Sequence, residues 1–415
     1  MKNFKVLKKY LQRNHYTNHH LEPREAFQGG DKKFKNCIII AACDEYDYLP
    51  RLLKSLNQAD KIENCAVIIV INNPSNASKK VIDNNLLTLT AIKSSKENFC
   101  FSNLLYGKNL FVVDAVNNLL TEHKRKFFGV GAARKLGMDL ALNLFDSSEE
   151  NKDEKFLMIS LDADCVVDKD YLVKITECFE IEQNIVGGVC KFKHQRSANE
   201  LQNLAIAEYE QFMDNYVNGL RFAGSPYAFY ALGSAIVCTA EAYVAVNGMV
   251  IREAGEDFYF LQKLRKYGNL TTIPTTVYPA SRISERVPFG TGTKIAEILN
   301  DSQKLNQAQA ENRVILPHYN NKVFLELKKI YEIVEDLKLK NKLENLATEF
   351  HNQEKSEFIK KFFAEQNFQE VWLKILNNVK QEPLAQERAF HVWFDGFKIL
   401  KFIHFLEQYT QFSRI

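Results

Sequence analysis

The chain has 415 residues, of which 46% are hydrophobic and 25% are charged. These proportions are ordinary for a soluble globular protein, the length allows more than one domain, and global disorder is excluded. The 54 Lys and Arg residues nearly balance the 51 Asp and Glu residues, so a protein that coats nucleic acid is not expected, whereas a local basic cleft for a phosphate is compatible with the composition.

The eight cysteines form no C-x-x-C pair, and several lie in apolar runs, among them Cys37 and Cys65. We interpret them as small buried side chains in a reducing compartment rather than as disulfides or zinc ligands. The longest apolar runs are much shorter than the ~20 residues of a membrane-spanning helix, and the N-terminus lacks an apolar leader. The expected location is the cytoplasm, without a transmembrane segment but with room for peripheral contact with the inner face of the membrane.

The first segment, residues 1–33, is polar and basic and contains His15, His19 and His20. No cysteine and no recognised ligand spacing accompany these histidines, so a surface arm is favoured over a metal site. We therefore expect an N-terminal polar arm over 1–33.

From residue 34 the pattern changes to alternating strand and helix signals. Cys37 to Ala42 is a short apolar run, typical of a strand buried on both faces. Leucines at helical spacing follow over 48–56, and a second buried strand is predicted over 66–71. A strand, a helix and a strand joined by short links predict a parallel sheet.

The remaining chain continues this alternation and then becomes helical. Further strands are predicted over 156–161, 186–192 and 270–277, and further helices over 118–125, 131–145, 200–222, 241–246 and 257–267. After about residue 300 only amphipathic helices are predicted, over 324–346, 355–363, 369–379 and 386–409. The expected fold class is α/β, a mostly parallel sheet flanked by helices over 34–295, with an α-helical C-terminal region over 296–415.

Polar groups follow three of these strands, at the sheet edge where open α/β proteins bind their ligands. They are Cys43-Asp44-Glu45, Asn72-Asn73-Pro74 and Asp162-Ala163-Asp164. Two carboxylates two residues apart at a strand end can hold Mg²⁺ or Mn²⁺, and the ion can bridge the two phosphates of a nucleotide diphosphate. Solvated turn carboxylates are the alternative, because an isolated D-x-D pair is common.

Two further segments precede predicted helices. Asp257 follows Gly255-Glu256, and it is either a cleft carboxylate that deprotonates a hydroxyl or a simple helix cap. Gly129 and Gly131 precede a helix that presents Arg134 either to a phosphate or to solvent. As a dinucleotide fingerprint this segment is weak, because Arg134 replaces the third glycine.

A loop rich in Gly, Ser and Thr is predicted over 281–294, and it contains Arg282 and Arg286. Its composition is typical of a flexible lid that closes over a pyrophosphate. A plain surface loop is the alternative.

These motifs, in this order, resemble those of the family 2 inverting glycosyltransferases, which have the GT-A fold. The resemblance covers about residues 34–290, and it lies in the order of the motifs because each one is loose. The matching segments are Ile38 to Glu45, Gly131 to Gly137, Leu161 to Asp164, Ala231 to Ala235 with Val246 to Gly248, and Glu256-Asp257.

The resemblance implies a GT-A-type, Rossmann-like domain that moves one sugar from a nucleotide-diphosphate sugar to a hydroxyl of a glycan or lipid-linked glycan, by inversion. It implies Mn²⁺ or Mg²⁺ at Asp164 with Asp162, and Asp257 as the catalytic base with Glu256 beside it. The residues implied to contact the nucleotide sugar are Ala42, Glu45, Asn72, Arg134, Asp162, Arg282 and Arg286.

The sequence also departs from the family pattern. Asn72-Asn73 stand where the family has one or two Asp that contact the base or ribose, so the neutral amides leave the nucleotide unassigned. The loop acid follows Ala42-Cys43-Asp44 rather than a Pro-x-x-Asn-type stretch. No Q-x-x-R-W signature follows Asp257, which favours a single-sugar transferase over a processive synthase.

Two other functions fit parts of the pattern. A nucleotidyltransferase of similar fold is expected to carry a Gly-rich basic loop after the first strand, whereas residues 41–47 are acidic. A non-catalytic sugar-nucleotide-binding or scaffold protein is favoured only by Asn72-Asn73.

Overall fold

The computed structural model describes residues 4–14, 21–22, 34–74, 76–116, 129–145, 155–252, 255–282, 291–300, 318–335, 353–380 and 382–412. The chain divides into two compact units. The sheet unit comprises Met1–Ile206 and Ala231–Leu305, and the helical unit comprises Ala207–Tyr230 and Asn306–Ile415. Residues 207–230, which the sequence assigned to the sheet domain, therefore group with the C-terminal helices.

The strands of the described residues are β1 (Leu21–Glu22), β2 (Asn36–Ala42), β3 (Cys65–Asn72), β4 (Leu110–Ala115), β5 (Leu157–Asp162), β6 (Val166–Val167), β7 (Ile185–Phe192), β8 (Ile236–Thr239) and β9 (Asn269–Tyr278). The α-helices are α1 (Phe4–Arg13), α2 (Leu49–Asn57), α3 (Lys79–Lys93), α4 (Val130–Ala141), α5 (Tyr171–Ile181), α6 (Glu200–Phe222), α7 (Ala240–Ala245), α8 (Glu256–Tyr267), α9 (Thr291–Asn300), α10 (Asn321–Glu335), α11 (Gln353–Glu365), α12 (Phe368–Asn378), α13 (Pro383–Trp393) and α14 (Gly396–Phe412).

All the strands belong to one sheet in the order β1-β4-β3-β2-β5-β8-β7-β9-β6. The long ladders of β2 with β3, β2 with β5, β3 with β4 and β7 with β9 are parallel. The antiparallel pairings, which involve β1, β6 and β8, are each only two or three residues long. The predicted fold class is confirmed, since the sheet is mostly parallel and helices flank it.

The centre of the sheet is covered by helix α4. Every residue of β3 is buried, as expected for a strand between two layers. Gly137 allows α4 to approach closely, because a Cβ added there would lie 2.5 Å from Ile39 Cγ2 and 3.0 Å from Val70 Cγ2. The carboxyl ends of β2, β3 and β5 lie side by side, in the registers Ala42 with Ile71 and Ala41 with Asp162.

Most predicted elements are present within a few residues of their expected ends, but some predictions were incomplete. Strands β4 and β8 and helix α3 were not predicted from the sequence. The single helix predicted over 386–409 is two helices, α13 and α14. Between them, Asp395 Oδ1 accepts a hydrogen bond from the backbone N–H of Lys398 at 3.2 Å, which stabilises the N-terminus of α14. The helix predicted over 118–125 lies outside the described residues.

The N-terminal segment differs from the predicted surface arm. It contains the helix α1, whose Leu7 and Tyr10 are buried in the sheet unit. The Tyr10 hydroxyl donates to Asp139 Oδ1 of α4 at 2.7 Å. The three histidines of this segment lie outside the described residues.

The helical unit has its own core, which consists mainly of aromatic rings. Phe362 contacts Phe402 with ring centroids 5.0 Å apart, and Phe368 contacts Trp393 at 4.6 Å. Gly219 of α6 lies against the ring of Phe324, where a Cβ would overlap the ring atoms. The prediction of a helical C-terminal region is confirmed for the described residues, and none of their helices is both long and apolar enough to cross a bilayer.

Candidate active site

The carboxyl edge of the sheet brings together residues from five separate parts of the sheet unit. Glu45 follows β2, Asp162 and Asp164 end β5 and begin its loop, and Arg282 follows β9. Arg134 of α4 and the first turn of α8 complete the group. The convergence predicted from the strand ends is present, and it now includes the Glu256-Asp257 motif.

Arg134 lies between the two acidic motifs. Its Nη1 donates to Glu256 Oε1, and its Nη2 donates to Asp162 Oδ1. The Arg134 side chain is only 4% exposed. Burial acts to lower the pKa of Arg134, but the carboxylates of Asp162 and Glu256 raise it above its ordinary value. The guanidinium therefore stays charged, and it occupies the space between β5 and α8.

Arg282 makes a second bridge, on the β2 side of Asp164. Its Nη2 donates to Glu45 Oε1, and its Nε lies 2.9 Å from Asp164 Oδ2. The guanidinium carbon is 4.4 Å from the centre of the Tyr48 ring. Burial by itself lowers the pKa of Arg282, but the hydrogen bond to Glu45 and the charge of Asp164 raise it above its ordinary value. Each carboxylate of the D-x-D motif thus has an arginine partner within the chain.

Asp257 is the second residue of α8. Gly255 occupies the N-cap position with φ +73°, and no side chain caps the helix. Asp257 Oδ1 accepts from the backbone N–H of Phe258 at 2.7 Å. Burial and the adjacent Glu256 charge raise the pKa of Asp257 to about 6, although Arg134 acts to lower it. The bond to a first-turn N–H fits a carboxylate that stabilises the helix N-terminus, and the raised pKa fits a carboxylate that can take up a proton near pH 6, so both interpretations of Asp257 stay predictions.

The end of β3 is held by a network of asparagines. Asn72 Nδ2 donates to the backbone oxygen of Gly129 at 3.0 Å. The buried Asn85 of α3 donates to the Asn72 backbone oxygen at 3.0 Å and to Asn73 Oδ1. Asn85 Oδ1 also accepts from the backbone N–H of Asp44 at 2.8 Å. Asn85 thus joins the loops after β2 and β3, and the sequence analysis missed it because α3 has only a weak apolar stripe.

The remaining predicted site residues make no side-chain contact with this cluster that the structure describes. Ala42 is the last residue of β2 and is almost completely buried, so its predicted contact with the nucleotide sugar stays a prediction. Arg286 lies outside the described residues. From Thr291 the chain is helical, so the prediction of a loop over 281–294 is wrong for its last four residues, where α9 begins.

The carboxylates of the D-x-D motif are oxygen ligands of the kind that Mg²⁺ and Mn²⁺ prefer. Among the described residues, no three or more His, Cys, Asp or Glu side chains are grouped to hold one. Mg²⁺ is often bound through one or two carboxylates together with substrate phosphates. Asp162 and Asp164 fit that mode, but both would have to share their oxygens between the ion and an arginine.

A separate concavity of about 1460 Å³ lies at the opposite edge of the sheet. Its lining includes Lys35, Asn36 and Lys155, near the amino ends of β2 and β5. Lys155 donates to the backbone oxygens of Phe179 and Gln183, each at 2.9 Å, and so caps α5. None of the predicted site residues lines this concavity. The largest volume and the cluster of charged side chains therefore lie at different edges of the sheet. We place the candidate site at the carboxyl edge, because the charged side chains converge there.

Comparison with known proteins gives limited matches. No protein-family model and no curated protein sequence matches the chain. Among solved structures, the fragment of S. aureus TarS in complex with UDP-GlcNAc matches with 11% identity and a TM-score of 0.39, over 78% of each chain. The same fragment in complex with UDP matches with 12% identity and a TM-score of 0.36, over 78% of this chain and 77% of TarS. At these values the likeness carries no conclusion about the activity or ligands of this chain.

Proposed function

We propose that the sheet unit is a glycosyltransferase that moves one sugar from a nucleotide-diphosphate sugar to a hydroxyl of an acceptor such as a glycan or lipid-linked glycan. The observation that carries this proposal is that Arg134 joins the D-x-D end of β5, at Asp162, to Glu256, so that the adjacent Asp257 lies in the same cluster, where burial raises its pKa to about 6. The order of motifs that resembles family 2 agrees with it.

Charge explains why a divalent cation fits this site. Glu45, Asp162, Asp164, Glu256 and Asp257 are five carboxylates, and with two guanidinium groups they carry a net formal charge of −3 when all are ionised. A diphosphate would add negative charge and would be repelled. Mn²⁺ or Mg²⁺ on Asp164, with Asp162, would offset this repulsion and stabilise the charge that develops on the leaving diphosphate.

The chain's own residues account for the transfer. Asp257 takes the proton of the acceptor hydroxyl, whose oxygen forms a bond to the anomeric carbon. The bond from that carbon to the diphosphate oxygen breaks on the opposite face, so the configuration inverts. Arg282 lies at Asp164 and supplies positive charge where the diphosphate leaves. Contacts of Glu45, Asn72 and the Ala42 backbone with the nucleotide stay predictions.

A nucleotidyltransferase is less well supported. The loop after β2 carries Asp44 and Glu45 and no run of glycines, and Glu45 is already bonded to Arg282. Such a loop offers little positive charge to the triphosphate of a nucleotide.

The test is a panel of UDP, GDP and dTDP sugars, including UDP-GlcNAc, with and without Mn²⁺. Binding is measured by thermal shift, and sugar-nucleotide hydrolysis by release of the nucleoside diphosphate. Asp164→Asn should abolish the Mn²⁺-dependent binding, whereas the matched variant Asp170→Asn, at the start of α5, should retain it. Binding without turnover would favour the non-catalytic alternative, and absence of binding by every donor would overturn the proposed function.

A further inference from the structure

The two acidic motifs of the site are far apart in the sequence, and one side chain joins them. Arg134 donates to Asp162 in the D-x-D motif and to Glu256, the neighbour of the proposed base. We propose that Arg134 is a positioning residue that fixes the end of β5 to the first turn of α8, so that the donor end of the site and its base are held as one unit. This inference rests on the proposed function for the roles of Asp162 and Asp257.

The burial of Arg134 favours an indirect role over direct contact with the diphosphate. The side chain is 4% exposed, and both Nη groups are used in bonds to carboxylates. The sequence predicted that Arg134 contacts the nucleotide sugar. The geometry points instead to an effect through its two partners, with Arg282 as the more accessible cation at 20% exposure.

The backbone around Arg134 leaves room for this bridge. A Cβ at Gly233 would overlap the guanidinium of Arg134. A Cβ at Gly131 would lie 2.9 Å from the backbone oxygen of Arg252 and 3.1 Å from Glu256 Cβ. Glycine at 233 therefore leaves space for the guanidinium, glycine at 131 lets α4 approach Glu256 of α8, and Asn72 holds Gly129 at the start of α4.

The bridge also has an electrostatic effect on the base. Among the described residues, the charged groups that act most strongly on Asp257 are Glu256 on α8, Arg134 on α4 and Asp162 on β5. Of these only Arg134 is positive. Without it three carboxylates would face one another, and Asp257 would hold its proton at higher pH.

The first experiment measures the pH dependence of sugar-nucleotide turnover in Arg134→Met, Arg134→Lys and the parent. Removal of a residue that orients catalytic groups lowers activity by about 10–100-fold, and we expect this range for Arg134→Met. The acid limb of its pH–turnover profile should move to higher pH by about 1 unit or more. Arg134→Lys should restore part of the turnover and part of the shift in pH. Arg196→Met, which removes an arginine from an exposed ion pair with Glu200, is the matched control and should change neither. An acid limb at the parental pH in Arg134→Met would overturn the proposal.

The second experiment needs no activity and so separates this inference from the proposed function. The unfolding free energies of Asp162→Asn, Glu256→Gln and the double variant are measured with and without Arg134→Met. If Arg134 joins the two carboxylates, the attractive coupling between them in the parent is lost in the Arg134→Met background, where only their mutual repulsion is left. The same coupling energy in both backgrounds would overturn the inference. If no donor is turned over by the parent, the proposed function fails, and this cycle alone decides whether Arg134 joins β5 to α8.

A third variant tests the position of the guanidinium without a change of charge. Gly233→Ala places a methyl group where the guanidinium lies, so Arg134 must move. We expect the same direction of change in turnover and in the acid limb as in Arg134→Met. A folded Gly233→Ala protein with parental turnover and pH profile would show that the position of Arg134 is not needed.

Discussion

The surroundings of Asp257 include groups that raise its pKa and groups that lower it. Burial and the Glu256 charge raise its pKa to about 6, while Arg134 and the Phe258 N–H stabilise the ionised form. A carboxylate with this pKa is ionised in neutral solution and still binds a proton more tightly than an ordinary Asp, whose pKa is ~3.9. Both properties are needed in a base that accepts a proton from a hydroxyl group.

Substitution of this residue gives the first prediction. Asp257→Asn keeps the shape and the oxygen that accepts from Phe258, so donor binding should be unchanged. Turnover should fall by about 10²–10⁴-fold, the usual contribution of a general base. In the parent, turnover should decline as pH falls through about 6, because protonation of Asp257 removes the base. Steady-state kinetics from pH 5 to 8, with Asp170→Asn as control, provide the measurement, and an Asn variant with parental turnover contradicts the role.

The same shift predicts an effect on stability. The pKa of Asp257 is higher in the folded chain than in the unfolded chain, so its protonation stabilises the folded state. This contribution to the unfolding free energy is complete below about pH 4 and is lost as pH rises through about 6. Asparagine does not titrate, so Asp257→Asn does not lose stability in this range. The variant should therefore gain stability relative to the parent between pH 4 and 7, by at most about 3 kcal/mol. Urea unfolding at the two pH values measures the difference, and a gain of equal size at both would show that the carboxylate titrates normally.

At the scale of elements, helix α4 carries two neighbouring basic residues that bond to different parts of the sheet unit. Arg134 faces the carboxyl edge, whereas Lys135 donates to Asp139 Oδ2 at 2.7 Å and to the Tyr10 hydroxyl at 2.9 Å. The fully buried Asp139 also accepts from Tyr243 at 2.7 Å. Buried charge is tolerated when it is paired and hydrogen-bonded in this way. Helix α1 is thus attached to α4 through a buried polar network of Tyr10, Lys135, Asp139 and Tyr243.

The packing of α4 on the sheet gives the next prediction. Gly137→Ala would improve helix propensity by about 1 kcal/mol, but its Cβ would meet Ile39 and Val70. Overpacking of a dense core costs about 1–3 kcal/mol, so the net effect should be a lower unfolding free energy. Denaturant unfolding measures it. The double variant Gly137→Ala with Ile39→Ala should lose less than the sum of the two single variants, and a Gly137→Ala protein more stable than the parent contradicts the close approach of α4 to β2.

For the whole molecule, the division into two units determines which probe reports which part. The chain has two tryptophans, Trp372 and Trp393, and both are buried in the aromatic core of the helical unit. Intrinsic tryptophan fluorescence therefore reports the helical unit, whereas nucleotide-dependent thermal shifts would report the sheet unit. Each unit therefore has a probe of its own.

A core substitution in the helical unit uses that probe. Phe362 is buried and contacts Phe363, Phe402 and Phe405. Phe362→Ala should lower the unfolding free energy followed by tryptophan fluorescence by about 3–5 kcal/mol. The exposed Leu373 of α12 provides the control, since Leu373→Ala should change it little. A fluorescence transition unchanged by Phe362→Ala would show that this core does not stabilise the unit.

The sequence by itself determined the features that depend on local pattern. Apolar runs located β2, β3 and β5, because a strand buried on both faces is continuous in sequence. The parallel arrangement of these strands then placed Glu45, Asn72 and Asp162 at one edge. Asp257 was found because its motif opens an amphipathic helix. The fold class and the candidate site could therefore be predicted before any contact was known.

Only the tertiary structure decided how those residues are used. Arg134 is buried between Asp162 and Glu256, which are 28 and 122 positions away in the chain, and no local period encodes such a contact. The same holds for Asn85, for Tyr10 on Asp139, and for residues 207–230, whose apolar face fits aromatic rings that come from the C-terminal helices. Spacing shows which face of an element is apolar or charged, but the partner of that face depends on how distant segments pack, and that packing also determines burial and charge at the site.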